Sequence, residues 1–303
     1  MRVVVTGGTG FLGKALVARL ASAGHETVVL TRDPGRAAPL PAGARAEAWR
    51  GGATAWERLV DGAGALVNLA GEPVAQRWTA EAKERIVASR LEAAARLRAA
   101  VERATVRPAV LVNASAVGFY GDRGDEELTE ESPAGKGFLA ETTRRWEEAA
   151  ESLAPLVPRI VRLRIGVVLG EGGGALPKML LPFRFGAGGP LGSGRQWVPW
   201  VHLDDVSGLA LLAVDDPRIR GPLNAVAPNP VRMAELARTL GRVLRRPAFA
   251  PAPAFVLKAV LGEMATAVLD SARVVPAKAQ ALGYGFRHPD LEEALRRILG
   301  RPG

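Results

Sequence analysis

Hydrophobic residues recur with two different periods along the first half of the chain, and the two periods alternate. Short apolar runs, typical of buried strands, occur at 3–5, 27–30, 65–69, 110–113 and 159–163. Between them, apolar residues return every three or four positions, as on one face of a helix, at 12–20, 80–104 and 138–153. Strands that alternate with helices of ten or more residues predict βαβ units and a parallel sheet.

The pattern changes after residue 168, where glycine-rich stretches interrupt it. Further helices are predicted at 203–214, 233–245, 254–269 and 290–299, and one further strand at 223–226. We therefore expect a doubly wound α/β domain formed by residues 1–168 together with 201–221. A small mixed lobe, formed by 169–200 and 222–303, is expected to make one wall of a cleft.

The composition excludes several classes of protein. The chain has no cysteine, which excludes disulfide scaffolds, Cys-based metal sites and Cys nucleophiles. No run of about eighteen apolar residues occurs, and the first strand begins directly after Met1, which leaves no room for a signal peptide. We expect a cytoplasmic protein with no membrane partner. The absence of cysteine, the many arginines and the 22 prolines also predict thermostability.

The chain is basic, with 40 Lys and Arg against 31 Asp and Glu. A nucleic-acid-binding protein gathers its basic residues on one surface together with exposed aromatic residues. Here the basic residues are spread along the chain, often beside glutamates, as in 81–85. We therefore expect a small-molecule substrate and no nucleic-acid partner, and the sequence leaves the oligomeric state open.

The segment from Thr6 to Gly13 joins the first predicted strand to the first predicted helix. Its glycines allow a tight turn in which backbone N–H groups and a helix N-terminus approach a pyrophosphate. A glycine triplet in this context is typical of Rossmann-type dinucleotide-binding domains. The cofactor-binding residues predicted here are Gly7, Gly10, Phe11, Leu12 and Gly13.

The second predicted strand ends at Thr31 and Arg32, and Arg32 lies nineteen residues after Gly13. NAD sites place an Asp or Glu near this position, whereas an arginine suits the 2′-phosphate of NADP. The sequence therefore predicts NADP as the cofactor, bound in part by Thr31 and Arg32. In the alternative interpretation, Arg32 forms an ion pair with the adjacent Asp33.

Further motifs extend over nearly the whole chain, at 68–72, 89–90, 115–121, 146–147, 180–194, 200–202 and 223–228. With these motifs the chain resembles the extended short-chain dehydrogenases/reductases. Within that superfamily it resembles the atypical epimerase/dehydratase-like "epimerase family" proteins, which carry a C-terminal domain of unknown function. The glycine-rich middle stretch and the Asn-containing motif at 223–228 are specific to this group.

The resemblance implies a set of cofactor contacts outside the glycine turn. It places Leu69, Ala70 and Gly71 at the cofactor, with Leu69 and Ala70 on its adenine side. It also implies that Arg90, on the long predicted helix, and Val168 touch the cofactor. In the alternative interpretations, Leu69 and Ala70 form a buried turn and Arg90 lies on a solvated helix face.

The chain departs from the superfamily at the catalytic pair. Active members use a Tyr-x-x-x-Lys pair, in which the lysine lowers the pKa of a tyrosine that moves a proton during hydride transfer. Here Phe138 and Thr142 stand where the pair is expected, and neither Tyr120 nor Tyr284 is followed by a lysine four residues later. The usual proton relay is therefore missing.

Two hydroxyl groups remain as catalytic candidates. Ser115 follows the strand at 110–113, where a hydroxyl that polarises a carbonyl belongs, and Tyr120 is expected in a loop that faces the same crevice. Lys136 is a further possible cation. In the alternative interpretations Ser115 caps a turn, Tyr120 is a packing aromatic and Lys136 is a solvated loop residue.

Residues 183–204 are the candidate substrate wall. This glycine-rich segment is expected to be an irregular loop that closes over the nicotinamide end of the cofactor. Its tryptophans would stack on the substrate and its arginines would bind an anionic group. The candidates are Arg184, Arg195, Trp197, Trp200 and His202. In the alternative interpretation the tryptophans anchor a surface loop to the core.

Other catalytic schemes find no support in the sequence. Ser115 does not lie in a Gly-x-Ser-x-Gly motif, and the three histidines, His25, His202 and His288, lack metal-ligand spacing, so we expect no metal. Asp204 or Asp205 is expected to cap the helix at 203–214. Two functions follow: an NADP(H)-dependent oxidoreductase or epimerase/dehydratase-like enzyme, and, alternatively, a non-catalytic NADP(H)-binding sensor or regulator.

Overall fold

The computed structural model describes residues 1–37, 39–49 and 56–300. Its strands are β1 (Arg2–Thr6), β2 (Glu26–Thr31), β3 (Ala44–Ala48), β4 (Ala65–Asn68), β5 (Val110–Ala116), β6 (Glu127–Leu128), β7 (Ile160–Ile165), β8 (Val167–Gly170), β9 (Gly173–Gly174), β10 (Trp197–Val198), β11 (Trp200–His202), β12 (Gly221–Ala225), β13 (Val231–Arg232) and β14 (Arg273–Val274). Its helices are α1 (Phe11–Ser22), α2 (Glu57–Val60), α3 (Ala80–Arg103), α4 (Phe138–Glu151), α5 (Leu176–Arg184), α6 (Leu203–Asp215), α7 (Met233–Leu244), α8 (Ala254–Leu261), α9 (Thr266–Leu269), α10 (Ala277–Ala281) and α11 (Leu291–Ile298).

Seven parallel strands form the central sheet, in the order β12-β7-β5-β4-β1-β2-β3. The predicted doubly wound α/β fold is confirmed. Alternate residues of each strand enter different cores, because both faces of the sheet are covered. On β1, for example, Val3 and Val5 pack with residues of α1 and α6, whereas Val4 packs with residues of α3.

Several elements were not predicted from the sequence, among them α2, α5 and α10 and the short strands β6, β8–β11, β13 and β14. Two further differences have a plain local cause. The edge strand β3 was not predicted, because its sequence Ala-Arg-Ala-Glu-Ala offers no apolar run. The predicted helix at 254–269 is interrupted at Gly262, which adopts a positive φ of 62°, and α8, one turn of 3₁₀ helix and α9 follow one another instead. Glycine adopts this backbone conformation without steric cost, so the helix ends there.

The C-terminal lobe has its own core, in which residues of α5, α7 and α11 surround the buried ring of Trp200. The expected boundary at residue 222 divides β12, which pairs with β7 and belongs to the central sheet. The lobe is attached near the carboxyl end of β5, where β14 pairs with β6 and the Arg123 amide donates to Ser271 O at 2.8 Å. The lobe therefore contacts the segment that follows the carboxyl end of β5.

Within the described residues, no helix combines the length and the apolar character that crossing a bilayer requires.

Candidate functional site

The glycine turn between β1 and α1 is tightly packed. Gly7 has a φ of +70°, and a Cβ placed on it would lie 2.8 Å from the Leu69 carbonyl carbon. A Cβ on Gly13 would lie 2.2 Å from Gly7 O. The turn therefore requires glycine at both positions, one for its backbone conformation and one for close contact with the turn itself.

The N-terminus of α1 is suited to an anion. Gly10 precedes the helix, no side chain caps its first turn, and that turn contains no acidic residue. The N–H groups of a first helical turn have no partner inside the helix, and the helix dipole adds positive charge at that end. The residues of this turn therefore fit a pyrophosphate group.

A ladder of buried polar side chains crosses the strand ends below the turn. Thr6 Oγ1 donates to Asn68 Oδ1 at 2.6 Å, and Asn68 Nδ2 donates to Asn113 Oδ1 at 2.7 Å. The Asn68 carboxamide oxygen also accepts a weak hydrogen bond from the Ala70 amide at 3.4 Å. The ladder joins β1, β4 and β5 and holds the segment from Leu69 to Gly71 beside Gly7.

Thr31 and Arg32 lie at the carboxyl end of β2, where Thr31 is the last strand residue and Arg32 is exposed. The neighbouring Asp33 carboxylate accepts a hydrogen bond from the Gly35 amide at 3.1 Å and caps a short turn. Arg32 is thus placed at the same sheet edge as the glycine turn, in the region where the ribose of a bound dinucleotide is expected.

Arg90 is buried, so the alternative that it lies on a solvated helix face is wrong. Its Nη1 donates to the carbonyl oxygens of Ile86, at 2.8 Å, and Glu72, at 3.1 Å, and its guanidinium lies 4.8 Å from the Trp146 ring centroid. Burial lowers the pKa of Arg90 to about 10. A Cβ on Gly71 would meet Arg90 Cζ at 3.0 Å, so Arg90 directly supports the loop after β4.

Phe11 joins the glycine turn to the C-terminal lobe. A Cβ on Gly173 would lie 2.5 Å from the Phe11 ring, and Cβ atoms on Gly170 and Gly174 would lie within 2.9 Å of it. The hairpin of β8 and β9, which includes Val168, therefore packs directly on the first residue of α1. The sequence identified these glycines as a change in pattern but not as a packing surface for Phe11.

Ser115 lies on β5 above a buried ion pair. Its hydroxyl donates to Glu147 Oε1 at 2.6 Å, and Glu147, on α4, receives two hydrogen bonds from Arg164, on β7. The Arg164 Nε–Glu147 Oε1 distance is 2.8 Å and the Nη2–Oε2 distance is 3.0 Å. All three side chains are buried. The proton of the Ser115 hydroxyl is thus directed at a carboxylate and not into the crevice.

Tyr120 is fully buried, so the expectation that it lies in a loop facing the crevice is wrong. Its hydroxyl donates to Asn224 Oδ1 at 2.7 Å and accepts from Arg164 Nη1 at 2.9 Å. Its ring packs in an apolar cluster with Phe119 and Leu128. Burial raises the pKa of Tyr120. The side chain turns inward because its hydroxyl satisfies both a buried guanidinium and a buried carboxamide.

The same network continues into the C-terminal lobe through buried Glu130. Its carboxylate accepts from the Asn224 amide at 3.0 Å and from the Lys278 amide at 3.2 Å. The sequence analysis did not identify Glu130 or Arg164, and it noted Glu147 and Asn224 only as parts of motifs, without a role in the site. A usable signal existed, because Arg164 is a charged residue inside a strand whose neighbouring positions are apolar.

Phe138 and Thr142 occupy the first two turns of α4, where the catalytic pair was expected. Thr142 is buried and its hydroxyl donates to Phe138 O at 2.7 Å. The Phe138 ring meets Trp78 edge-on at 4.9 Å, and Lys83 Nζ lies 5.2 Å from its centroid. Lys136 is exposed. At the position of the expected Tyr/Lys pair, the chain therefore has an aromatic contact between Phe138 and Trp78, with Lys83 as the neighbouring cation.

The segment 183–204 is more ordered than an irregular loop, because it contains β10 and β11. Trp200 is buried in the lobe core and donates to Asn229 O at 3.2 Å, so it anchors the segment and cannot stack on a substrate. Trp197 is half-buried and donates to Asp125 Oδ1 at 2.8 Å. Arg184 and Arg195 are exposed.

His202 is buried and caps α6, so the expectation that Asp204 or Asp205 does so is wrong. Its Nδ1 accepts from the Asp204 amide at 3.0 Å, and its ring centroid lies 3.8 Å from that of His288. The Asp205 carboxylate instead accepts the amides of residues 287 and 288. Burial, assisted by His288, lowers the pKa of His202 to about 4.

Residues that are distant in sequence thus meet at one point of the lobe. Ligand-capable atoms of His202, Asp204 and His288 lie within 4.8 Å of one another in the described part of the chain. The Nδ1 lone pair of His202 already accepts a hydrogen bond at the start of α6. The geometry therefore favours helix capping at this cluster, and the absence of a metal site stays a prediction.

Comparison with known proteins gives matches over nearly the whole chain. Residues 3–224 match the NAD dependent epimerase/dehydratase family, and residues 252–298 match a domain of unknown function, DUF1731. The chain is 44% identical over 302 residues to the chloroplastic epimerase family protein SDR39U1 homolog of Arabidopsis thaliana, with 99% of this chain and 87% of the relative covered. It is 37% identical to the epimerase family protein YfhF of Bacillus subtilis, with 99% and 98% covered. The crystal structure of human epimerase family protein SDR39U1 with NADPH is similar over 100% of both chains, with 38% identity and a TM-score of 0.86.

The buried ion pair gives a stability prediction. Replacing Glu147 by Gln leaves the Arg164 guanidinium buried without a counter-ion, which is expected to lower the free energy of unfolding by about 3–5 kcal/mol. The matched control is Glu148→Gln, since Glu148 is exposed and its pair with Arg144 is at the surface. That change is expected to stay within about 0.5 kcal/mol. Denaturant unfolding followed by circular dichroism measures both, and equal effects would contradict the assignment.

The capping histidine gives a pH prediction. The folded-state pKa of His202 is about 4, whereas its usual value is 6.5. As the pH falls, the unfolded chain therefore takes up a proton at His202 before the folded chain does. Its contribution to stability is therefore present above pH 6.5 and is lost as the pH falls towards 4. In His202→Asn, which keeps a capping oxygen, stability should fall less over this window than in the wild type. Parallel pH dependences of the two unfolding free energies would refute this role.

Proposed function

Since the chain belongs to the NAD dependent epimerase/dehydratase family, as its motifs predicted, we propose that it binds NADP(H) and exchanges hydride with a small-molecule substrate. The reaction is of the oxidoreductase or epimerase/dehydratase type. It takes place in the crevice between the carboxyl ends of the central strands and the C-terminal lobe, where ligands of doubly wound sheets bind.

One observation carries the proposal: the uncapped N-terminus of α1 and the glycine turn lie together at the carboxyl edge of the sheet. In this assignment the amides of Phe11 and Leu12 bind the pyrophosphate, because the Gly10 amide already donates to Gly7 O at 3.0 Å. Leu69 and Ala70 lie on the adenine side, and Gly71 follows them at the cofactor. The packing of the β8–β9 hairpin on Phe11 places Val168 close to the same turn.

Arg32 supports NADP(H) over NAD(H). Its guanidinium, at the end of β2, would make a charge-assisted contact with the 2′-phosphate that an NAD molecule lacks. The human relative whose structure is similar over the full length was crystallised with NADPH. Both observations favour the phosphorylated cofactor for this chain.

When bound, NADPH supplies a hydride for an electrophilic carbon of the substrate. The surrounding side chains orient the reactants more than they transfer protons. Ser115 donates its hydrogen bond to Glu147, and Tyr120 is buried with a raised pKa. We therefore assign Ser115 and Tyr120 as positioning residues, and the proton that accompanies the hydride comes from water or from the substrate itself.

A second candidate function has a specific observation in its favour. Both hydroxyl groups that the sequence singled out are committed to the buried network, and Phe138 and Thr142 supply no acid or base. A protein that binds NADP(H) without catalysis, as a sensor or regulator, would need only the cofactor-binding half of the site. Single-turnover oxidation of bound NADPH by a substrate candidate distinguishes the two functions.

The cofactor assignment predicts a strong preference. NADPH should bind more tightly than NADH, and Arg32→Glu should weaken NADPH binding about tenfold or more, because a charge-assisted contact is lost and a repulsive one is added. The control is Arg107→Glu. Arg107 is exposed and precedes β5, so it lies near the amino ends of the central strands and far from the glycine turn. It changes the net charge equally and should leave both affinities unchanged. Equal binding of the two cofactors to the wild type, by titration calorimetry, would overturn the assignment.

The missing proton donor predicts feeble activity with generic carbonyl compounds. General acid catalysis contributes about 10²–10⁴-fold to a rate. NADPH-dependent turnover of a panel of aldehydes and ketones should therefore be slower by this factor than turnover by a reductase that has the Tyr/Lys pair. Tyr120→Phe should change the rate little once the folded fraction is matched by circular dichroism. Rapid turnover that Tyr120→Phe abolishes would show that Tyr120 is a proton donor after all.

A further inference from the structure

Most of the large apolar side chains that the described residues expose lie in the C-terminal lobe. Phe185 is 81% exposed, Phe249 79% and Phe255 74%. Leu181, Val256 and Val260 are also exposed. We call these six residues the C-terminal apolar surface. Outside it, only Met1 and Val106 are comparable among the described residues. A concentration of exposed apolar side chains in one lobe marks an interaction surface.

The two segments that carry this surface lie side by side. The Ala250 amide donates to Gly188 O at 3.0 Å, and the Ala252 amide donates to Pro190 O at 2.9 Å. A Cβ on Gly189 would lie 2.0 Å from Ala250 O, so the two backbones are in direct contact. The end of α5 and the start of α8 therefore belong to one continuous part of the lobe.

Helix α8 is apolar and yet has no buried residue. Six of its eight positions are exposed, and only Leu257 and Leu261 are half-buried. A helix that is hydrophobic on all sides is ordinarily buried, and an isolated helix of eight residues has little stability of its own. The rest of the chain therefore leaves most of the surface of α8 exposed.

The two segments that carry this surface have charges of one sign. Residues 172–192 and 243–262 contain no Asp or Glu. They carry Lys178, Arg184, Arg245, Arg246 and Lys258, and all five are exposed. Exposed aromatic and aliphatic side chains next to lysines and arginines are complementary to a phase that is apolar inside and negatively charged at its face.

We propose that the C-terminal apolar surface docks onto an anionic lipid bilayer. A fluid bilayer can cover a protruding helix on several sides at once, whereas a folded protein partner would have to offer a matching groove. A second copy of this chain would bring like charges together across a symmetric interface. With eight residues α8 is far too short to span a bilayer, so the chain would lie on the surface, which the sequence did not anticipate.

Docking would also orient the crevice. The turn after α8 contains Glu263, which forms an ion pair with Lys83 near the start of α3. Lys83 in turn lies over the Phe138 ring. The start of α4, at Phe138, would therefore lie towards the lipid side of the molecule. This placement is independent of whether the bound cofactor reacts.

Sedimentation with lipid vesicles tests the proposal on the full chain. The protein should bind vesicles of phosphatidylglycerol mixed with phosphatidylcholine, and should bind pure phosphatidylcholine vesicles much more weakly. The double variant Phe249→Ser/Phe255→Ser should lower the vesicle partition coefficient about tenfold or more, through lost apolar burial. Arg184→Glu/Lys258→Glu should also lower it, and raising the salt concentration should weaken wild-type binding.

Matched controls separate this surface from the general positive charge of the chain. Val106→Ser removes an exposed apolar side chain elsewhere, and the pair Arg58→Glu/Arg107→Glu makes the same change of charge at exposed sites near the amino ends of the central strands. Both controls should bind vesicles much as the wild type does, and all variants should keep the wild-type unfolding midpoint. Equal loss in the charge control, or no binding to anionic vesicles, would overturn the proposal. So would a dimer that dissociates in the phenylalanine variant, because the surface would then bind a second copy.

Discussion

The buried ion pair between Glu147 and Arg164 is the constraint on which the site depends. Each charge is removed from water, and such a pair is tolerated only when further hydrogen bonds satisfy the remaining donors and acceptors. Ser115 and Tyr120 provide these bonds, one to the carboxylate and one to the guanidinium. The pair joins α4 to β7, and the network continues through Asn224 and Glu130 to Lys278 of the C-terminal lobe. It therefore holds the central sheet and the lobe together.

This arrangement explains how the chain can keep a complete cofactor-binding turn without the usual proton relay. The glycine turn depends on backbone conformation and on close packing with Leu69, and neither requires the catalytic pair. The hydroxyl groups below it are held by the ion pair and direct their protons inward. Phe11, in contact with the β8–β9 hairpin, joins the turn to the lobe at a second point. The residues of the cofactor-binding turn are therefore separate from the hydroxyl groups that were candidates for proton transfer.

Much of the fold was predictable because its signals are local. The apolar runs of β1, β2, β4 and β5 and the periodic helices α1, α3 and α4 follow directly from residue patterns, and so does the glycine turn.

The site below the turn was not predictable in the same way. Tyr120 lies in a short turn next to Phe119, and only the distant Arg164 and Asn224 decide that its hydroxyl points inward. Likewise, His202 caps α6 with its ring against that of His288, 86 residues further along the chain, and no local pattern predicts this contact. The exposure of α8 could not be predicted either, because a helix with an apolar sequence is expected to be buried.

A crystal structure of the protein with NADPH tests most directly whether this crevice binds the cofactor while its hydroxyl groups stay structural. We expect the pyrophosphate at the amides that begin α1 and the 2′-phosphate at Arg32. We also expect the Ser115 hydroxyl still on Glu147 and Tyr120 still on Asn224. A structure in which the Ser115 or Tyr120 hydroxyl leaves the network and turns towards the nicotinamide would contradict this account, since that hydroxyl would then be available for catalysis.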